Sequence, residues 1–358
     1  MIHIEKLELD PAKRVIITSD IHASLALFKR LLDKVNFTND DYLLINGDIC
    51  EKGPNSLETV AYIRELQMNN SNIYITKGNC DVVHRYVWDE NERIIPYIQN
   101  RKTILKEMLE IKGKNLEDFP SLKELSAYYK EHYSDELDWL ESLPIAYETE
   151  DFILVHAGIG DKEDWRETEE ETALYIDAFY GKHHHAPKPV IVGHWPVINY
   201  RETEICTNNP LIDLEKNIIA IDGGNQLKKE GQLNALLYHQ KAFSYTYVDD
   251  LTEQITIKKD YEEKLNRIGT VTYPNYELRI LQEEKYFTLC ENIQVQTKQW
   301  VKNEYINKEN NRCKTDVSTT FLSVSAGEVV SIIDQDCQGY LLVKNESGEV
   351  GWISRDLV

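Results

Sequence analysis

At 358 residues the chain is long enough to bury a large core and to fold as more than one domain. Its 61 acidic residues against 40 lysines and arginines give a formal charge of -21, which argues against a protein that embraces duplex nucleic acid. No run approaches the roughly 18 apolar residues of a membrane span and the opening MIHIEKLELDPAKR carries no apolar signal core, so a cytoplasmic protein is expected, with its six scattered cysteines reduced.

In chain order, the first part alternates strand and helix. The apolar run VIIT leads to Asp20-Ile21-His22, after which Ser24 to Val35 places Leu25, Phe28, Leu32 and Val35 on one stripe, with Leu27 and Leu31 beside it, predicting an amphipathic helix. YLLIN leads to Gly47-Asp48, and the segment NSLETVAYIREL predicts a second helix capped by Asn55 or Ser56. NIYIT leads to Gly78-Asn79-Cys80-Asp81. From Val82 to Tyr147 the pattern turns helical and highly charged, an insertion expected to cover the site from one side. FILV then leads to His156-Ala157-Gly158, and VIV to Gly193-His194.

Each motif thus ends a short buried strand, where an α/β sheet gathers its chemistry, and carboxylate, amide and imidazole together suit divalent cations such as Mn²⁺, Fe²⁺ or Zn²⁺. Asp48 is the candidate bridge, because one carboxylate can hold two ions roughly 3.5–4 Å apart. Asp20 and His22 complete one ion; Asn79, His156 and His194 complete the other.

Two polar runs follow the ligand motifs. DKEDWRETEEE, Asp161 to Glu171, reads as a solvated helix face or as a screen against polyanions, and His183, His184 and His185 as the tip of an exposed loop or a source of a third metal site. Beyond Asp250 strands become short and polar, with helical periodicity left only in YEEKLNRI. There an internal repeat relates 276–306 to 327–358, each copy running to a tryptophan, Trp300 or Trp352, that serves as core pillar or as floor of a peptide groove.

These motifs resemble the calcineurin-like metallophosphoesterase superfamily, in the branch of serine/threonine phosphoprotein phosphatases and symmetrical diadenosine tetraphosphate hydrolases. GDICEKGPNSLETV (47–60), DWLESLP before FILVHAGI, and the single histidine of VGHWP carry the resemblance over residues 12–250. It implies an α/β fold, a metallophosphoesterase β-sandwich flanked by helices, in domain 1–250 with the helical insertion at 82–147. It also implies two divalent metal ions, Mn²⁺ first with Fe²⁺ or Zn²⁺ as alternatives, on the ligand set above, and phosphate ester hydrolysis by a metal-bridging hydroxide with Asp48 central. Lys52 falls where the family places a basic residue against the substrate phosphate; Arg85 and Arg201, each shortly after a metal motif, are further substrate-binding candidates. The last copy of the repeat is similar to bacterial SH3-like domains, giving an SH3-like barrel at 309–358 and a diverged one at 251–308, each able to hold a peptide or protein ligand.

One departure stands out. Where the family carries Gly-Asn-His-(Asp/Glu), with the histidine protonating the leaving oxygen and the acid orienting it, this chain has Cys80 and Asp81. A thiol near pKa 8.5 is a poorer acid than an imidazole near 6.5, so slow turnover is expected on poor leaving groups. His84 is a possible substitute donor. The sequence leaves three functions open: a phosphoprotein phosphatase, which the branch suggests first; a dinucleoside polyphosphate hydrolase or phosphodiesterase; and a non-catalytic scaffold using the barrels.

Overall fold

The structure, a computed structural model, describes residues 2–358, which divide into two compact units. The first runs through Trp195 and takes in Pro210–Leu227 and Leu233–Val248; the second comprises Pro196–Asn209, Lys228–Gln232 and Asp249–Val358.

The first unit contains, in order, β1 Ile4–Lys6, β2 Val15–Thr18, α1 Leu25–Lys34, β3 Tyr42–Asn46, α2 Ser56–Asn69, β4 Ile73–Thr76, α3 His84–Trp88, α4 Ile94–Asn100, α5 Ile104–Ile111, α6 Leu122–His132 and α7 Ser134–Ser142. It continues with β5 Ala146–Glu148, β6 Ile153–Val155, α8 Glu170–Tyr175, β7 Val190–Val192, β8 Leu211–Asp213, β9 Ile218–Ala220, β10 Gln232–His239 and β11 Ala242–Asp249. Two sheets result, ordered β11-β10-β2-β3-β4 and β1-β5-β6-β7-β9-β8. In the first, β2, β3 and β4 run parallel; in the second, β6, β7 and β9 do.

The strands read as unbroken apolar runs because both faces are buried. Val15 and Ile17 of β2 and Tyr42 and Leu44 of β3 join Leu154, Ile191 and Ile219 of the other sheet in the core of a β-sandwich. The alternate residues Ile16, Leu43 and Ile45 point to the opposite face and pack on helices. That second core includes Phe28 and Leu31 of α1, Val60 and Ile63 of α2, and Ile98, Met108, Tyr129 and Leu140 from the helical run that follows β4. The charged helices between β4 and β5 are therefore part of the flanking layer.

Helix α1 begins one residue after Ser24, as the stripe requires, but Ser24 makes no side-chain cap. Nor do Asn55 or Ser56 cap α2. Glu107 of α5 does, its carboxylate accepting the Ser56 and Leu57 amides at 2.8 and 2.9 Å. A carboxylate there satisfies two of the orphan donors of the first turn and complements the helix dipole.

In the second unit, strands β12 Gln254–Thr256, β13 Thr270–Val271, β14 Leu278–Glu283, β15 Phe287–Asn292, β16 Thr297–Lys302, β17 Ile306–Asn307, β18 Arg312–Cys313, β19 Val317–Ser318, β20 Val329–Asp334, β21 Tyr340–Lys344 and β22 Val350–Ser354 form small antiparallel sheets. β14-β15-β16 and β20-β21-β22 are two meanders of the same design. Each has a register shift in its first strand, at Ile280/Gln282 and Ile332/Asp334, and each ends in a 3₁₀ turn, at Asn303–Tyr305 and Arg355–Leu357. β12 and β13, from before residue 309, pair with β20 and β19, from after it, so strand pairing crosses the expected boundary between the two barrels. Trp352 is a core pillar, fully buried with its indole N–H on the Ser318 carbonyl at 2.7 Å, whereas its counterpart Trp300 is half-buried. The segment YEEKLNRI is not helical. Tyr261 bridges Val324 in extended pairing, and Arg267 is taken by Glu263 and the Phe321 ring.

Candidate metal centre

The parallel strands of both sheets deliver their C-terminal ends to one place, the position at which open α/β sheets collect ligands. Asp20 and His22 follow β2, Asp48 follows β3 and Asn79 follows β4. His156 follows β6 and His194 follows β7. All six expected metal ligands are brought together.

Asp48 lies at the middle. Its Oδ1 is 3.3 Å from His156 Nε2 and its Oδ2 is 3.8 Å from His22 Nε2. His22 Nε2 is also 3.7 Å from Asp20 Oδ1. Asn79 Oδ1 sits 3.0 Å from His156 Nε2 and 2.9 Å from His194 Nδ1. Carbonyl oxygens fix two of the rings: His22 Nδ1 faces Cys50 O at 3.3 Å and His156 Nδ1 faces Asn46 O at 3.0 Å, which assigns the proton to Nδ1 in each and leaves the Nε2 lone pair to the centre.

Burial, then the charge of Lys52, pushes His22 down to about 3; burial, then His156, pushes His194 down to about 3. Both are neutral imidazoles, the form that binds metal. Burial alone would raise Asp48, but His156, His22 and Lys52 hold it below the usual carboxylate range. Asp20 is raised by burial and by the carboxylates of Asp222 and Asp48. Imidazole lone pairs, the Asn79 carbonyl and the Asp48 carboxylate are all acceptors facing one another, an arrangement that calls for cations between them. The donor set fits two divalent ions that accept oxygen and nitrogen.

The loops hold these groups in demanding conformations. Asp20, His22, Asp48 and His194 have φ of 55°, 47°, 51° and 64°. Neighbouring backbone must pass close by: a Cβ on Gly78 would lie 2.2 Å from the Asp48 nitrogen, and one on Gly193 2.3 Å from Asp20 Oδ2. Only glycine fits at either position.

Asp222 was not among the residues singled out from the sequence. It follows β9 in IIAIDGG, the same strand-end setting, and is fully buried, with Oδ1 on the Gly224 amide at 2.8 Å and Oδ2 without a partner. Burial pushes it up to about 6. An apolar run ending in an aspartate beside glycine was the available signal, with the glycine after Asp222 where Gly47 precedes Asp48.

The remaining candidates separate. Lys52 reaches the centre, its Nζ 3.1 Å from His22 Nε2 and 3.9 Å from Asp48 Oδ2. Cys80 donates its amide to Asp48 Oδ1 at 2.8 Å, and its thiol sulfur lies within 4.8 Å of donor atoms of His22 and Asp48. Burial and Asp48 keep that thiol protonated. Asp81 orients no acid: Oδ1 accepts the Ile49 and Cys50 amides at 2.8 and 3.2 Å, and Oδ2 the Gly78 amide at 2.9 Å. His84 faces Glu141 at 3.3 Å and packs edge-on to Trp88. Arg85 is taken by Glu141 and by Glu170, the latter at 2.7 Å, so part of the acidic run after Asp161 neutralises a guanidinium. Arg201 belongs to the second unit and pairs with Glu204. Of the histidine triplet, His183 and His185 meet Asp161 at 2.9 and 3.1 Å on an exposed surface of the first unit.

A β-sandwich carrying an Asp/His/Asn cluster at the ends of both sheets defines a metallophosphoesterase. The chain belongs to the calcineurin-like phosphoesterase family, which it matches over residues 13–224. A symmetrical bis(5′-nucleosyl)-tetraphosphatase from Vibrio campbellii is 29% identical over 146 residues, 40% of this chain and 44% of that protein. The asymmetrical bis(5′-nucleosyl)-tetraphosphatase PrpE from Oceanobacillus iheyensis is 23% identical over 212 residues, 52% of this chain and 79% of that protein. The chain spans between 23% and 55% of the length of the symmetrical proteins it matches. A metallophosphoesterase crystal structure from Sphaerobacter thermophilus superposes with a TM-score of 0.38 at 18% identity, covering 66% of this chain and 89% of that one.

Proposed function

We propose that the protein is a dinuclear-metal-dependent phosphohydrolase acting on nucleoside polyphosphates, with Asp48 shared between two ions, Asp20 and His22 on one, and Asn79, His156 and His194 on the other. Mn²⁺ is our first choice of ion, with Fe²⁺ or Zn²⁺ suiting the same donors. Ions held there would supply charge to neutralise phosphoryl oxygens and lower the pKa of an attacking water. Lys52 supplies a fixed cation beside Asp48 to hold the phosphate as its charge redistributes.

The observation that carries the substrate class is Cys80 with Asp81. An alkyl phosphate such as phosphoserine expels an alkoxide and needs a proton donor, commonly worth about 10²–10⁴-fold. Here the thiol is raised by burial, and the acid that would orient a donor is committed to three backbone amides. A phosphoanhydride expels a phosphate, already a stable anion, and needs no such help. This ranks a nucleotide above the phosphoprotein first expected, a choice that residues 47–60 leave open, and the names of the relatives lean the same way.

We assign the C-terminal strands to two SH3-like modules, supported by the repeated meander, register shift and 3₁₀ turn. Residence in a reducing compartment agrees with six cysteines that are all free and buried. No helix among the described residues is long and apolar enough to cross a membrane.

The test is Mn²⁺-supplemented hydrolysis of diadenosine tetraphosphate and of a phosphoserine peptide side by side, with Asp48→Asn as the blank. Preference for the dinucleotide is expected. Preference for the peptide would reverse the substrate assignment, and equal silence on both would leave a scaffold.

A further inference from the structure

Beside the candidate centre lies a cavity of about 280 Å³, near the lower end for small-molecule sites and sized for one ring system. Its inner end is made by Asn79 and by Cys80, the position where the resembled family carries the group that protonates the leaving oxygen. Its walls are Tyr86, Tyr97 and Tyr175, three aromatic side chains drawn from α3, α4 and α8, and Arg93 completes the rim.

Two features of this cavity go beyond the metal chemistry. Three tyrosines around one opening provide π-faces for a flat ring, the kind of platform on which bases stack. Arg93 is exposed, and among the described residues its guanidinium has no carboxylate or hydrogen-bond partner. By contrast Arg85, the cation nearer in sequence, is spent on Glu141 and Glu170. In a chain of charge -21, an uncompensated guanidinium at the mouth of an aromatic pocket is suited to an anion. Tyr97 is positioned from behind: its side chain interacts with the buried Glu51, whose Oε1 accepts the Ile104 amide at 2.7 Å, and Glu51 is the residue before Lys52. The wall that would contact a ring is thus tied to the loop that would hold the phosphate.

We propose that this cavity is the leaving-nucleotide subsite: Tyr86, Tyr97 and Tyr175 enclose the base, and Arg93 pairs with phosphates that stay on the departing nucleotide. This rests on the hydrolase reading above and names the part of the substrate that the reading leaves open. The charge decides between aromatic leaving groups. A tyrosyl side chain leaving phosphorus carries no further phosphate and gives Arg93 nothing to bind, whereas a nucleotide leaves with its own anionic group.

The experiment compares wild type, Arg93→Ala and Tyr175→Leu, both exposed or half-exposed positions that the fold tolerates. With Mn²⁺, kcat/KM is measured for diadenosine tetraphosphate and for inorganic tripolyphosphate, which has the anhydride but no base. Separately, binding of adenosine 5′-(α,β-methylene)diphosphate is measured by calorimetry. The ratio of dinucleotide to tripolyphosphate turnover is expected to fall about ten-fold or more in Tyr175→Leu, which touches only the base, whereas Arg93→Ala should slow both substrates by about that factor, since both leave with anionic phosphate; analogue affinity should weaken by a similar factor in each variant, the scale of one stacked base or one charged hydrogen bond. Wild type that hydrolyses both substrates with a ratio unmoved by Tyr175→Leu, or with turnover of both unmoved by Arg93→Ala, overturns the subsite and leaves the hydrolase reading standing. Wild type that hydrolyses neither, yet binds the analogue with loss in both variants, retains the subsite and removes the hydrolase reading. Absence of analogue binding to wild type, or preference for a phosphotyrosyl peptide over the dinucleotide, overturns the subsite.

Discussion

Asp81 is where the family pattern and the geometry assign different work, and its removal distinguishes them. Its two carboxylate oxygens accept three buried amides, Ile49 and Cys50 on the loop that carries Asp48, and Gly78 on the loop that carries Asn79. In Asp81→Ala those three donors lose their partners, and an unsatisfied buried donor costs about 1–3 kcal/mol. Part of the cost is returned, because burial and the neighbouring Asp48 push Asp81 up to about 6 and so disfavour its charged form. A net loss of about 2–5 kcal/mol for this region is expected, at the upper end of ordinary single substitutions. Asp81→Asn keeps one acceptor oxygen and turns an NH₂ toward an N–H, so about 1–3 kcal/mol is expected.

Hydrogen exchange resolved to peptides covering 46–56 and 76–82 reads this directly, and is preferable to a global unfolding curve because a chain of two units need not unfold in one step. Protection in both peptides should fall, more in Ala than in Asn, with metal affinity falling about 10–100-fold alongside, since both loops carry ligands. A variant that keeps full protection and metal affinity while losing turnover would show that Asp81 acts in proton transfer after all, and would refute the argument from its hydrogen bonds.

Three further outcomes follow from the same geometry. Asp48→Asn removes the charge common to both ions, so bound metal measured by elemental analysis should drop with activity; full turnover in this variant would end the bridging assignment. Cys80→His should raise turnover on an alkyl phosphate, by less than the usual 10²–10⁴-fold, because Asp81 is not free to orient the ring; unchanged rates would mean that protonation is not limiting. Glu51 is pushed by burial up to about 8, far above an unfolded glutamate. The folded state therefore binds the extra proton between about pH 4.3 and 8, and stability should decline as pH rises through that window. Melting temperatures from pH 5 to 9 should show this slope in wild type and a shallower one in Glu51→Gln; equal slopes would contradict it.

The clustering of the candidate ligands was legible because strand ends announce themselves. VIIT, YLLIN, IYIT, ILV and VIV are apolar on both faces, and a polar residue directly after such a run has few places to go but the end of the sheet. What sequence could not convey was pairing over distance. Whether Arg85 is available to a substrate is decided by Glu141 and Glu170, 56 and 85 residues further along, and neither spacing is periodic. The cap of α2 likewise comes from Glu107, about 50 residues away, overriding two good local capping residues. Nor could sequence show that Asp81, at the position where the resembled family carries an orienting acid, spends both oxygens on the Ile49, Cys50 and Gly78 amides.

The backbone of the centre points to a site assembled by the protein itself. Left-handed conformations cost about 1–3 kcal/mol each when the surroundings impose them on residues other than glycine. Four of the six candidate ligands, Asp20, His22, Asp48 and His194, adopt them. That strain is held by specific contacts: the Asp20 amide on Gly47 O and the His22 amide on Asp48 O draw the first two ligand loops together, the Cys80 amide on Asp48 Oδ1 ties in the third, and the His194 amide on Asp20 Oδ2 joins the two sheets. Every one of these bonds runs from one ligand loop to another. A catalytic constellation locked this way needs little rearrangement to accept its ions, and geometry prepared in advance is what electrostatic stabilisation of a phosphoryl group requires.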